Sequence, residues 1–182
     1  IKVLFINLYE YFLIYWSIIL DVRYFNNREI NMCRFTKFLG LIIAIMLGGI
    51  AHASENHVVK MLNNGVEGSM VFEPAFIKIN TGDSITFEMT DAGHNAVTVA
   101  GPDGSVAFDT KYKPSTVIKF DVNGIYLYKC APHAMMAMAG LIQVSDANNK
   151  DEMAKAVEKF EATVMMPNVK TRMSDLFNSN IK

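Results

Sequence analysis

The stretch Thr116-Val-Ile-Lys-Phe-Asp-Val-Asn123-Gly124-Ile-Tyr-Leu-Tyr-Lys-Cys130 decides the fold class. Two apolar runs rich in β-branched and aromatic residues flank an Asn-Gly pair, which is turn chemistry between strands. In the second run Tyr126, Tyr128 and Cys130 share one face, opposite Ile125, Leu127 and Lys129, because side chains alternate along a strand. The same alternation sets Ile85, Phe87 and Met89 against Thr86 and Glu88. Working outward, candidate strands fall at 58–62, 70–79, 84–89, 96–100, 116–122, 125–130 and 141–145. Between them lie Asn63-Asn64-Gly65, Thr81-Gly82-Asp83, Gly101-Pro102-Asp103-Gly104 and Asn123-Gly124. Short strands with regular turn signals predict a mainly β chain, an antiparallel Greek-key β-sandwich over 54–145.

After Ser145 the period changes. Met153, Ala156, Val157 and Phe160 recur at helical spacing, with Asp146 or Asn148 as cap. Pro167 fits the first turn of a second helix, striped by Val169, Met173, Leu176 and Phe177. The segment 146–182 therefore reads as two C-terminal α-helices whose apolar stripes cover part of the sandwich.

The N-terminal part reads differently. From Met32, the charges of Arg34 and Lys37 precede an unbroken apolar run at 38–50 and then Ala51-His52-Ala53. This is the pattern of a secretory signal peptide over 32–53, cleaved after Ala53. Residues 1–31 are apolar and aromatic but interrupted by Asn7 and Glu10, and read as an upstream or non-native extension. The 182 residues carry a formal net charge of −1. Residues 1–53 hold five of the 17 basic and three of the 18 acidic residues, so 54–182 has a formal charge of −3. No basic tract of the nucleic-acid type is present, and the mature form is expected to carry no membrane segment and to be a monomer.

Cysteine usage is the first chemical clue. Of the two cysteines, Cys33 lies within the signal, leaving Cys130 alone in the exported chain. A lone exported thiol is a crosslinker, a reactive group or a metal ligand. Its surroundings favour the last: Cys130-Ala-Pro-His133-Ala-Met-Met-Ala-Met138 puts Cys, His and Met in one loop, and His94 begins an earlier strand. Two imidazoles, a thiolate and a weak thioether make the trigonal-plus-axial set of a blue-copper site. Cu(I) favours the soft sulfur and Cu(II) accepts imidazole, so a rigid compromise serves both states. Zinc is the rival for Cys and two His, but no nearby general base is evident and methionine is a poor zinc ligand. Neither a Ser-His-Asp arrangement nor a phosphate loop is seen, and the chain does not read as an enzyme.

On these residues the chain resembles the pseudoazurins, small periplasmic cupredoxins holding one type 1 copper. The matching stretches are His57-Val-Val-Lys-Met-Leu-Asn63, Gly68-Ser-Met70-Val-Phe-Glu-Pro74, Gly82-Asp83, Gly93-His94-Asn95, Pro102-Asp-Gly104 and Tyr128-Lys-Cys130-x-Pro-His133. The resemblance implies copper ligation by His94 Nδ1, Cys130 Sγ, His133 Nδ1 and Met138 Sδ, with His133 the partly exposed ligand that passes the electron. It implies that Met70 packs near His133, that Met136 lies in the surface patch, and that Asn95 ties the two ligand loops. Pro132 removes a backbone donor that would otherwise point at the sulfur. The chain departs from the family at Ala131, where threonine is common, at Ala134, where an aromatic residue is common, and at Met135 and Ala137. The expected function is a periplasmic electron-transport shuttle between respiratory redox proteins. A copper nitrite reductase or similar acceptor and a c-type cytochrome donor are the partners implied. Pro132, Ala134, Met135 and Met136 would form its apolar docking patch, framed by Lys111, Lys113 and Lys129. The alternative is periplasmic copper storage or delivery, which the methionine-rich loop favours.

Overall fold

The computed structural model describes residues 53–182. The predicted extension and all but the last residue of the predicted signal lie outside the described residues. Among these, no helix is long and apolar enough to cross a membrane.

Among the described residues, eight strands and two α-helices follow one another. The strands are β1 (Asn56–Gly65), β2 (Gly68–Glu73), β3 (Phe76–Ile79), β4 (Ser84–Glu88), β5 (Val97–Ala100), β6 (Ser115–Lys119), β7 (Gly124–Lys129) and β8 (Ala139–Val144). The helices are α1 (Lys150–Glu161) and α2 (Arg172–Asn180). One sheet has the order β2-β1-β4-β6 and the other β3-β8-β7-β5. The mainly β sandwich with two C-terminal helices is as expected, but the sheets are mixed. β1 pairs with β4 in parallel and β3 with β8 in parallel, the remaining pairs being antiparallel. Parallel neighbours cannot be joined by a hairpin, and in both pairs the intervening chain passes through the other sheet.

Three local expectations are corrected. Residues 70–79 are two strands, because Pro74 lacks the N–H a central strand must donate; the chain there leaves one sheet and enters the other. Asn63-Asn64-Gly65 is not the first turn: β1 runs through it, and Gly65 pairs with Gly68 across a tighter turn at Val66 and Glu67. Asn123-Gly124 does not close a hairpin either. β6 pairs with β4 while β7 pairs with β5 and β8, so the Asn-Gly pair is the corner by which the chain changes sheets. Gly124 is needed there for two reasons: its φ is +137°, and a Cβ would meet Pro102 at 2.8 Å and the side-chain oxygens of Asn148 and Asn149 at 2.8 and 2.9 Å.

Both faces of β7 are buried, and this organises the molecule. Tyr126, Tyr128 and Cys130 enter the core between the sheets with Phe72, Ile85, Phe87, Phe108 and Met138. Ile125 and Leu127 face outward, where Met153, Val157 and Phe160 of α1 and Met173 and Phe177 of α2 cover them. The helix stripes thus pack as expected. Their ends differ: Pro167 opens a separate 3-10 turn ahead of α2, and the residue at the α1 N-cap is Asn149. The Asn149 side chain caps no helix N–H; it accepts from the Ile125 N–H at 2.7 Å and donates to the Ile125 carbonyl at 2.9 Å, acting as an added strand edge for β7.

Candidate metal centre

β5 begins, β7 ends and β8 begins at one end of the second sheet, since Val97 and Ala139 both lie opposite Lys129. The segments carrying His94, Cys130, His133 and Met138 therefore start from the same edge. The loop from Cys130 to Met138 is closed by its own backbone: Cys130 N–H donates to the Met138 carbonyl at 2.9 Å. Within it His133 accepts from Met136 at 3.0 Å and from Met138 at 3.3 Å, around a 3-10 turn ended by Ala137 at φ 59°. The upstream loop is bound to β1. Asp91 N–H donates to the Met61 carbonyl, 3.1 Å, and Asp91 Oδ2 accepts from Asn63 N–H, 2.6 Å.

Three donor atoms converge there. His94 Nδ1 and His133 Nδ1 are 3.1 Å apart, and Cys130 Sγ lies 3.7 Å from the first and 3.4 Å from the second. A metal bonded at about 2 Å to nitrogen and about 2.3 Å to sulfur in a trigonal plane needs donors about 3.5 Å apart. The three atoms fit that requirement. Met138 is fully buried in the same core as Cys130. His94 and Cys130 are buried, whereas His133 is half-buried and Pro132 exposed, so one imidazole edge of the site faces out. Met70 is half-buried against the core at φ 51°, and Met136 is half-buried on the 3-10 turn.

Burial acts on two of these groups in opposite directions. Burial, and next the like charge of His133, lower the pKa of His94, which favours its neutral ring. Burial raises the Cys130 thiol, while backbone N–H groups of Asn95 and His133 aimed at the sulfur pull the other way. Asn95 also accepts from Ala131 N–H through Oδ1 at 2.9 Å, so the two ligand loops are tied without a hydroxyl at position 131. Its Nδ2 reaches Asp109 Oδ1 at 3.4 Å.

One contact was not visible in the sequence. Asn63 Oδ1 lies 3.0 Å from His94 Nε2. That bond places the ring proton on Nε2 and leaves the Nδ1 lone pair facing Cys130 and His133. A second is Gly140, whose absent side chain makes room for the Tyr128 ring; a Cβ there would also lie 2.9 Å from the Ala75 carbonyl. Tyr128 precedes Cys130 on the same face of β7, so this fit seats the strand end that carries the thiol.

The chain is 45% identical over 113 residues to a pseudoazurin of Methylorubrum extorquens, covering 61% of this chain and 76% of that one. The chain belongs to the pseudoazurin family. A pseudoazurin of Paracoccus pantotrophus is 40% identical over 119 residues, covering 64% of this chain and 80% of the relative. The family model for copper binding proteins of the plastocyanin/azurin family matches residues 59–145. Among solved structures, native pseudoazurin from Hyphomicrobium denitrificans superposes with a TM-score of 0.60 at 31% identity, covering 70% of this chain and 99% of that one. A pseudoazurin from Methylobacterium extorquens gives 0.57 at 37% identity over 68% of this chain and 98% of that one. As in its family, the cofactor of this chain is one type 1 copper ion, and the donor set of one sulfur and two imidazoles suits it.

Proposed function

We propose that this chain is a periplasmic electron-transfer protein, not an enzyme, that moves one electron at a time between respiratory redox proteins. The observation that carries the reading is the meeting of His94, Cys130 and His133, from two separate loops, within 4.8 Å of one another. In this reading His94 Nδ1, Cys130 Sγ, His133 Nδ1 and Met138 Sδ hold the metal. Bound copper supplies a one-electron Cu(II)/Cu(I) couple. The protein supplies rigidity: Asn63 and Asn95 hold the ring and the loops where they are, so little rearranges when an electron arrives or leaves.

His133 is the exit and entry point, because its half-buried ring stands beside exposed Pro132 while the other ligand side chains are sealed. A small apolar contact around it suits brief redox encounters. Exposed Lys111 and Lys113, on the segment next to the Asn95 partner Asp109, border that end. A c-type cytochrome as donor and a copper nitrite reductase or similar acceptor fit this design. Processing after Ala53 would release 54–182, with 54–145 as the sandwich and 146–182 as its helical cover.

Adding Cu(II) to the purified protein and recording visible and spin-resonance spectra tests the site. Intense absorption with narrow copper hyperfine splitting is expected, and its loss in Cys130→Ser. A colourless product overturns the ligand assignment. Stopped-flow mixing of the reduced protein with copper nitrite reductase tests the role: second-order oxidation is expected, whereas transfer of the metal itself to an acceptor would favour storage or delivery.

A further inference from the structure

Two methionine segments lie on the surface, one within the ligand loop and one beside it. Met135 and Met136 belong to the 3-10 turn Ala134–Met136. Met165 and Met166 stand in the link between α1 and the turn opened by Pro167. The two segments are joined, since Met165 N–H donates to the Met135 carbonyl at 2.9 Å. Such a backbone contact keeps the two Cα atoms within about 6 Å, and methionine side chains, with three torsions each, adapt to meet one another. Met135 is 51% exposed and Met165 75% exposed. Among the described residues, the other large apolar side chains at least as exposed as Met135 are three valines and one tyrosine; the two exposed methionines are the ones the backbone bond joins. Met136 and Met166 are half-buried at their sides.

The chemistry of this patch is specific. Residues 134–139 and 164–169 contain no charged side chain, so a hard divalent ion finds neither carboxylate nor net field there. Thioether sulfur is neutral, has no proton to lose and selects soft monovalent ions. We propose that Met135, Met136, Met165 and Met166 form a second, external site for a soft monovalent metal ion, Cu(I) or Ag(I). The site does not depend on the electron-transfer role. It involves none of the four side chains assigned to the main centre, although Met136 N–H donates to the His133 carbonyl at 3.0 Å and sets the patch directly beside it.

The test uses reduced, copper-loaded protein carrying 13C-labelled methionine methyl groups, titrated with silver nitrate. The expected result is a saturable shift of the Met135 and Met165 methyl signals while the protein keeps its copper. The double variant Met135→Leu with Met165→Leu preserves volume and is expected to weaken silver binding at least tenfold. Its oxidised form should show the unaltered visible spectrum, proving the main centre and the fold intact. Three results overturn the proposal: methyl signals that do not move, silver that only displaces copper from the main centre, or undiminished silver binding in the variant. The last would place the silver at another site.

Discussion

Asn63 shows how a single side chain sets the chemistry of a neighbour. His94 sits on a loop, and a loop leaves an imidazole free to rotate about its bonds. The 3.0 Å contact from Asn63 Oδ1 to His94 Nε2 removes that freedom and selects the tautomer that offers Nδ1. Asn63→Ala is therefore expected to lower copper affinity by about tenfold or more, read by competition with a chelator of known affinity, with little change in the thermal midpoint of the metal-free protein. An unchanged affinity would mean that packing alone orients the ring. Cys130, His133 and Met138 were legible because they share one short loop, where spacing in sequence is spacing in space. The partner of His94 was not, because it lies 31 positions away on β1 and looks like turn composition.

At the scale of elements, polar side chains do the splicing that strands cannot do for themselves. Asp83 is fully buried and accepts N–H bonds from Glu55 and Asn80, each at 2.8 Å, fastening the start of β1 to the turn before β4. Chiefly the Glu55 bond, then that from Asn80, with His57 adding less, lower its pKa from 3.8 to about 2 against the opposing effect of burial. A depressed carboxylate pKa stabilises the fold above the unfolded value, and that contribution is lost as pH falls through the folded value. The stabilisation should thus be complete above about pH 4 and vanish near pH 2. Asp83→Ala, which strands two N–H groups, should cost about 3 kcal/mol at neutral pH and lack this acid-dependent component. Urea unfolding of both proteins at pH 7, 4 and 2.5 decides it; parallel losses would refute the assignment.

Asn149 works similarly between α1 and β7. Asn149→Ala removes both bonds to Ile125 and is expected to cost about 2 kcal/mol in unfolding free energy while leaving the visible spectrum of the copper-loaded protein in place. A loss of colour at full copper occupancy would show that the helical cover reaches the metal centre. Sequence periodicity found α1 and its buried face, because a stripe of Met153, Val157 and Phe160 needs no partner to be seen. It misplaced the cap, because Asn149 serves a strand that is distant along the chain.

For the molecule as a whole, the metal is a ligand of the folded state and so a source of stability. With free metal at about a thousand times its dissociation constant, linkage adds about 4 kcal/mol, and stripping copper should lower the thermal midpoint by on the order of 10 °C. Calorimetry before and after a chelator measures this, and coincident midpoints would contradict it. Loading must also displace a proton that burial holds on the Cys130 thiol. Affinity should therefore rise with pH, by up to about tenfold per unit below the thiol pKa, once chelator protonation is accounted for.

Composition and period along the chain settled the fold class, the two helices and the residue types of the metal set, since alternation, helical stripes and ligand chemistry are properties of neighbours. Which strands pair, that Asn123-Gly124 turns a corner between sheets, that residues 70–79 divide, and that Asn63 and Gly140 serve the site were decided by contacts between distant segments. A local signal marks where the chain turns; only the packed sheets determine what it turns toward.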